Sequence, residues 1–113
     1  MSCINERTAE RDEAVTLLDA AFSTIEAQGR EPDAWERSCL AQGINAAYRG
    51  AYGMAATEAD LALTPAAERS AQWKPSADVA KFTTVALWRA LAEVAVEPAR
   101  EFPHFGPIVS AGR

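Results

Sequence analysis

Apolar positions near the start of the chain recur with a helical period. Val15, Leu18, Phe22 and Ile25 stand at i, i+3, i+7 and i+10 with Ala14 and Ala21 beside them, which draws one apolar stripe along a helix. The helix is expected to begin after Asn5 or Thr8 and to end at Gly29, a residue that takes the left-handed conformation beyond a helix C-terminus without a Cβ penalty. Glu6, Glu10 and Glu13, with Arg7 and Arg11 between them, fall on the opposite side. They are expected to be a solvated, ion-paired face that complements the helix dipole.

A second pattern starts at Pro32, suited to a first helical turn, with Asp33 and Glu36 near the positive end. It runs without a proline to Thr64, about thirty residues, or roughly 45 Å as one straight helix. Leu40, Gly43, Ala47, Gly50, Met54, Thr57 and Leu61 alternate by three and four, and Ile44, Tyr48, Ala51, Ala55, Ala59 and Ala62 form a second apolar row beside them. A helix apolar over most of its circumference is a central one, covered on more than one side. Glycines at 50 and 53 cost up to ~1 kcal/mol each relative to alanine, so either the helix breaks there or a neighbour packs close.

Pro65 and Pro75 punctuate the next stretch, "TPAAERSAQWKPSA", predicting a short helix from Thr64–Pro65 to about Trp73 and a new start at Ser76. The last helix, about 77–96, carries Val79, Thr83, Ala86, Leu87, Ala90 and Val94 on one side and Val85, Trp88, Ala92 and Val96 on the other. Beyond it Pro98, Pro103 and Pro107 rule out a regular helix but suit an extended strap bearing Phe102, Phe105, Ile108 and Val109. Those four side chains match the face around Trp88, so Trp88, Phe102, Phe105, Ile108 and Val109 are the candidate partner-binding residues. The strap is expected to dock on its own bundle, on a second copy or on another protein.

Within the second pattern, "GAYGMAATEADLALTP" resembles the turn and second helix of a tetratricopeptide repeat, on Gly50, Tyr52, Ala55, Ala62 and Leu63, with Gly43 where the preceding helix wants a small residue. The resemblance implies a helical hairpin broken at the glycines. It covers less than a third of the chain. Cys39, Gln42, Ala46 and Ala59 stand where large signature residues are usual, Ala67 stands where proline is usual, and a shift by the thirty-four-residue period recovers little beyond Trp73 and Ala77.

Composition agrees with helix throughout: of 113 residues 25 are alanine, which loses no side-chain entropy in a helix and lets helices approach closely. Nine arginines against two lysines, with so much alanine, point to a GC-rich bacterial genome. The net charge of −5 is unevenly placed. Residues 1–38 hold nine acids and four arginines, whereas 39–113 hold seven charges of each sign. That acidic first third disfavours nucleic acid and suits a basic protein partner. The charged start and the absence of a long apolar run exclude a recognisable signal peptide or membrane span, and two unframed cysteines, Cys3 and Cys39, fit a reducing cytoplasm.

Catalytic chemistry is thin. His104 is the single histidine, so no Cys/His zinc spacing exists within one chain, and the glycines lie on helical patterns instead of in a phosphate loop. No metal or other cofactor is expected. Cys39 with His104 would make a nucleophile and base only if the fold joined them. Short helices around "TPAAERSAQWKPSADVAKF" invite a helix-turn-helix, but only Lys74, Lys81 and Arg89 are there to meet DNA. The best small-molecule candidate is an aromatic set with one guanidinium: Trp35, Tyr48, Arg49 and Tyr52.

The sequence thus predicts an all-α bundle of three main helices plus a short one, with a long central second helix. Residues 1–97 form the bundle domain and 98–113 a proline-containing apolar tail packed on it. The expected role is a cytoplasmic protein-interaction module, an adaptor, accessory subunit or inhibitor that forms a homodimer. A ligand-binding protein or small enzyme with a pocket near Tyr48, Arg49 and Tyr52, and a tetratricopeptide-like hairpin, are the alternatives.

Overall fold

A computed structural model of the chain describes residues 2–96, with side chains described from residue 9 onward except Ala80. Four helices, α1 (Ser2–Glu26), α2 (Ala34–Tyr48), α3 (Tyr52–Ala62) and α4 (Thr84–Val96), form a small bundle, and two 3₁₀ turns, Ala66–Glu68 and Ala77–Lys81, lie between α3 and α4. No strand occurs among the described residues. The segment expected as a tail, residues 98–113, lies outside them, and so do Phe102, Phe105, Ile108, Val109 and His104.

α1 follows its stripe. Ala14, Leu18, Ala21, Phe22 and Ile25 are buried and Val15 packs against them. The helix gives way to a turn at Ala27–Gly29, closed by Gln28 N–H to Ile25 O at 3.1 Å and Gly29 N–H to Glu26 O at 2.9 Å. Gly29 has φ +76°, the conformation that favours glycine.

α2 begins with a capping box. The Asp33 carboxylate accepts the Glu36 N–H at 2.9 Å while Glu36 Oε1 accepts the Asp33 N–H at 2.8 Å, which satisfies two otherwise orphaned donors. Asp33 is the cap itself and Pro32 stands just outside the helix, fully buried.

The single long second helix expected from the pattern is two helices. Ala51 N–H reaches back to Ala46 O at 2.8 Å and Gly50 N–H to Ala47 O at 3.1 Å, the paired bonds of a Schellman ending, with Gly50 at φ +81°. The chain therefore turns at residues 49–51, and α3 packs back on α2. The hairpin implied by the tetratricopeptide resemblance is present. It is followed by the 3₁₀ turns and not by a second hairpin.

Gly43 explains how closely these helices approach. A Cβ at that position would lie 2.7 Å from Leu18 Cδ2, 3.2 Å from Glu58 Cβ and 3.4 Å from Ala55 O, so α1, α2 and α3 meet where one methyl group would intrude. Of the two reasons that would justify glycine in this stretch, the break holds at Gly50 and close packing at Gly43. Gly53 meets neither, for nothing lies within 4 Å of a Cβ there.

α2 is the centre of the arrangement. It touches α1, α3 and α4, α1 also touches α3 and α4, and α3 and α4 do not touch each other. Leu40, Ala41, Ile44, Ala46, Ala47 and Tyr48 are all buried. The helix predicted for 77–96 is shorter than expected: the 3₁₀ turn ends at Lys81, Phe82 plugs into the core, and Thr83 restarts the chain by accepting the Ala86 N–H on its Oγ1 at 3.1 Å. The short helix expected to Trp73 is one 3₁₀ turn.

Candidate interaction surface

α4 buries Leu87, Ala90, Leu91 and Val94. Its other side is open: Val85 is 65% and Val96 72% exposed, and Arg89 and Ala92 between them are exposed as well. These positions at i, i+4, i+7 and i+11 make a ridge along the whole helix. Val96 is its last residue and also the last residue described.

Trp88 flanks the ridge and is held from below. Its ring stacks on Phe22 of α1, centroids 4.1 Å apart and planes 11° from parallel, and its Nε1–H donates to Glu26 Oε2 at 3.0 Å. One face of the indole thus belongs to the α1–α4 seam. Thr84 adds a second tie across the connection by donating from Oγ1 to Glu31 Oε1 at 2.6 Å. The exposed carboxylates Glu26 and Glu31, from the acidic first third of the chain, consequently form one margin of the apolar ridge.

The aromatic set proposed from sequence as one pocket is distributed over three places. Trp35 donates Nε1–H to Leu61 O at 2.8 Å, meets Trp73 edge-on at 5.1 Å, and lies under the Arg69 guanidinium at 5.4 Å. Tyr48 points the other way, its buried hydroxyl 2.9 Å from Ala90 O and 3.0 Å from Glu93 Oε1, so it ties α2 to α4. Burial and the Glu93 carboxylate both hold its proton more tightly than usual. Arg49 is exposed, with Nη2 4.0 Å from Met54 Sδ.

Tyr52 lines a cleft, an open cavity of about 530 Å³ walled by Glu10, Glu13 and Ala14 of α1 and by Gly50, Ala51, Gly53 and Ala56 at the start of α3. α3 has no side-chain cap, since Ala51 occupies that position. Two α1 carboxylates on the facing wall complement the positive end of its dipole.

A charged cluster that the sequence pattern did not single out anchors the corner before α4. Glu36 is almost fully buried and accepts from Arg30 Nη1 and Nη2 at 2.8 and 2.7 Å; Arg69 Nη1 lies 2.9 Å from Asp33 Oδ2 and its Nη2 3.6 Å from Glu36 Oε2. Arg69 also donates Nε–H to Thr64 O at 3.0 Å. Burial works against ionised Asp33, but the Glu36 N–H and the Arg69 guanidinium outweigh it and hold its pKa below the ordinary value. The D-x-x-E spacing of the capping box was the available signal; the arginines come from outside the helix and carried none.

Cys39 is buried and its thiol is pushed up to about 12 by desolvation, with the Glu58 carboxylate adding to the effect. A thiol so placed is an inert core group. Among the described residues no helix is long and apolar enough to cross a membrane. No family model, no curated protein and no solved structure matches the chain. The tetratricopeptide resemblance accordingly rests on the one hairpin.

Proposed function

We propose that the protein is a small helical protein-interaction module of the bacterial cytoplasm whose working face is the α4 ridge, and that its partner brings an apolar stripe flanked by basic groups. The observation that carries the proposal is the row Val85, Arg89, Ala92 and Val96, apolar at three of its four positions and left open beside an indole already fixed by stacking on Phe22. An anchor held in place before binding loses less rotamer freedom on association, and tryptophan is the side chain most enriched among binding hot spots. The carboxylates of Glu26 and Glu31 along one margin supply the preference for a basic partner and a salt-sensitive association rate.

A photocrosslinking residue in place of Ala92, introduced into the full chain in cells, tests this. The expected outcome is an adduct with another protein, mapped to a basic amphipathic segment, weakened by salt and lost in Val96→Glu. Adducts at twice the chain mass alone indicate the homodimer expected from sequence and overturn the heterologous partner, and salt-insensitive adducts overturn the acidic margin's role.

A second reading, ligand binding, has the Tyr52 cleft in its favour. Its wall offers carboxylates and a helix N-terminus, with Tyr48 and Arg49 directed elsewhere. A screen of small organic cations observed through the Tyr52 ring resonances tests it, with loss of binding expected in Glu10→Gln/Glu13→Gln.

A further inference from the structure

We infer that the outward strip of α2, formed by Ser38, Gln42, Asn45 and Arg49, binds an extended peptide whose main chain bonds to the first three side chains and whose acidic side chain pairs with Arg49. This face is separate from the α4 ridge, and the site stands or falls independently of the proposed function.

The four residues stand at i, i+4, i+7 and i+11, within an arc of about 60° around the helix. Their neighbours fix where that arc looks. Trp35 on one flank donates to Leu61 O, and Gly43 further round approaches Glu58 Cβ, so α3 packs on that side. Tyr48 on the other flank bonds to Ala90 O and Glu93 Oε1, so α4 packs there. Because α3 and α4 do not touch each other, the strip is the floor of a trough between them.

A polar strip on a bundle helix is ordinarily solvated, and this one is sunk. Ser38 is 6% and Asn45 8% exposed, and Gln42 is half-buried. Even so, among the described residues none of these three side chains makes a hydrogen bond. Their polar tips are not sealed in either, since among the described residues Arg11 Nε is the one side-chain nitrogen or oxygen cut off from both solvent and partner. The bodies of Ser38 and Asn45 are thus packed while their hydrogen-bonding ends face an opening, whereas buried polar groups are ordinarily paired within the fold. Arg49 continues the pattern. Its Nη2 meets Met54 Sδ at 4.0 Å, and among the described residues no carboxylate lies within ion-pair distance of it.

Chemistry and spacing select the occupant. A hydroxyl and two carboxamides offer donors and acceptors without charge, which suits main-chain N–H and C=O groups. Ser38 to Gln42 is a rise of about 6 Å along α2, and an extended chain presents its main-chain groups to one side every second residue, about 6.6 Å. The whole strip, about 16 Å long, accommodates about five residues of such a chain. The guanidinium at its exposed end is a fork suited to a carboxylate. Side chains already held by packing lose little rotamer freedom on binding.

The side-chain amide resonances of Gln42 and Asn45 in the full chain test the inference when titrated with two pools of hexapeptides. Both pools are N-acetylated, C-amidated and random over uncharged residues, one ending in glutamate and the other in glutamine. A pool is the right probe because the main chain is what the strip recognises. The glutamate pool should shift both amide pairs saturably and leave the Val85 and Val96 methyls unmoved. The glutamine pool should bind up to about fivefold more weakly, the range of an exposed ion pair, and Arg49→Gln should bring the glutamate pool to that same level. Asn45→Leu should weaken binding about tenfold by removing an amide's bonds to the peptide, with a thermal midpoint equal to or above that of the parent chain, because the amide makes no bond that holds the fold. No saturable shift with either pool leaves only water on the strip and overturns the inference. Equal binding of the two pools overturns the pairing with Arg49. A lowered midpoint in Asn45→Leu with unchanged binding makes Asn45 a structural residue and overturns the site.

Discussion

α2 and α4 carry the same kind of sequence, apolar on two faces, and meet different fates. Around α2 the second face is small: Gly43, Ala46 and Ala47 are buried and let α1, α3 and α4 all reach the helix, and no apolar residue of α2 is left exposed. On α4 the second face carries Val85 and Val96 with Trp88, side chains too bulky for close helix approach; the indole stacks on Phe22, while the two valines stay exposed. Side-chain size on the second face, more than its hydrophobicity, decides whether a doubly apolar helix ends in the interior or at a surface open for docking.

Breaking α2's surroundings should have the largest effect. Leu18 fills the space that Gly43 leaves free, and Leu18→Ala should cost about 2–5 kcal/mol in urea unfolding, the range for buried leucine. Trp88→Ala, which removes a half-covered ring and leaves Phe22 without its stacking partner, should cost about 2 kcal/mol, less than a fully buried aromatic. Val96→Ser, on the open end of the same helix, should change stability by no more than about 0.5 kcal/mol by the same assay; a cost near that of Leu18→Ala would mean the ridge is interior after all.

Two further variants sharpen the contrast between tight and loose ground. Arg69→Ala should cost about 1–2 kcal/mol by removing charge-assisted bonds to Asp33 and Thr64. Because the pKa of Asp33 is depressed in the fold, its stabilising contribution is present above the ordinary carboxylate pKa and fades as pH falls through the folded value. The loss of stability below about pH 4 should therefore be shallower in Arg69→Ala than in the parent chain, read from urea midpoints against pH. Gly53→Ala should act in the opposite direction and stabilise by about 0.5–1 kcal/mol, since the site has room and alanine suits the first turn of α3 better. The same substitution at Gly50 should destabilise because of its positive φ.

Much of the fold was legible because it follows from periodicity. The α1 stripe, the terminus at Gly29 and the Leu87, Ala90 and Val94 face of α4 are where the 3.6-residue repeat and the glycine put them, whereas Thr83 of that same expected row is exposed ahead of the helix and Leu91, on neither expected row, is buried. The division of α2 from α3 was masked by their small residues: Leu40, Gly43, Ala47, Gly50, Met54 and Thr57 keep helical spacing straight through a Schellman turn, since alanine and glycine serve a packed hairpin as well as a straight rod. The restart at Thr83 was hidden in the same way, by valines and alanines on both sides of a single side-chain cap. Of the candidate sites, the open face beside Trp88 could be read from one helix. The dispersal of Trp35, Tyr48 and Tyr52 could not, because Trp35 is fixed by Leu61 and Tyr48 by Ala90, partners twenty-six and forty-two residues away that no local pattern specifies.

Arg69 gives the corner between α3 and α4 a distinct dynamic character. The segment from Ala66 to Lys81 contains only two 3₁₀ turns and no fully buried side chain among those described, and it is tethered by the Arg69 guanidinium near its start, by Trp73 edge-on to Trp35 in its middle, and by Val79 and Phe82 on the core at its end. A stretch held by a few surface contacts, with no fully buried side chain of its own, opens without waiting for the bundle to unfold. Its amides should exchange with solvent together and faster than those of α2, and a protease acting on the native protein should cut first within this corner.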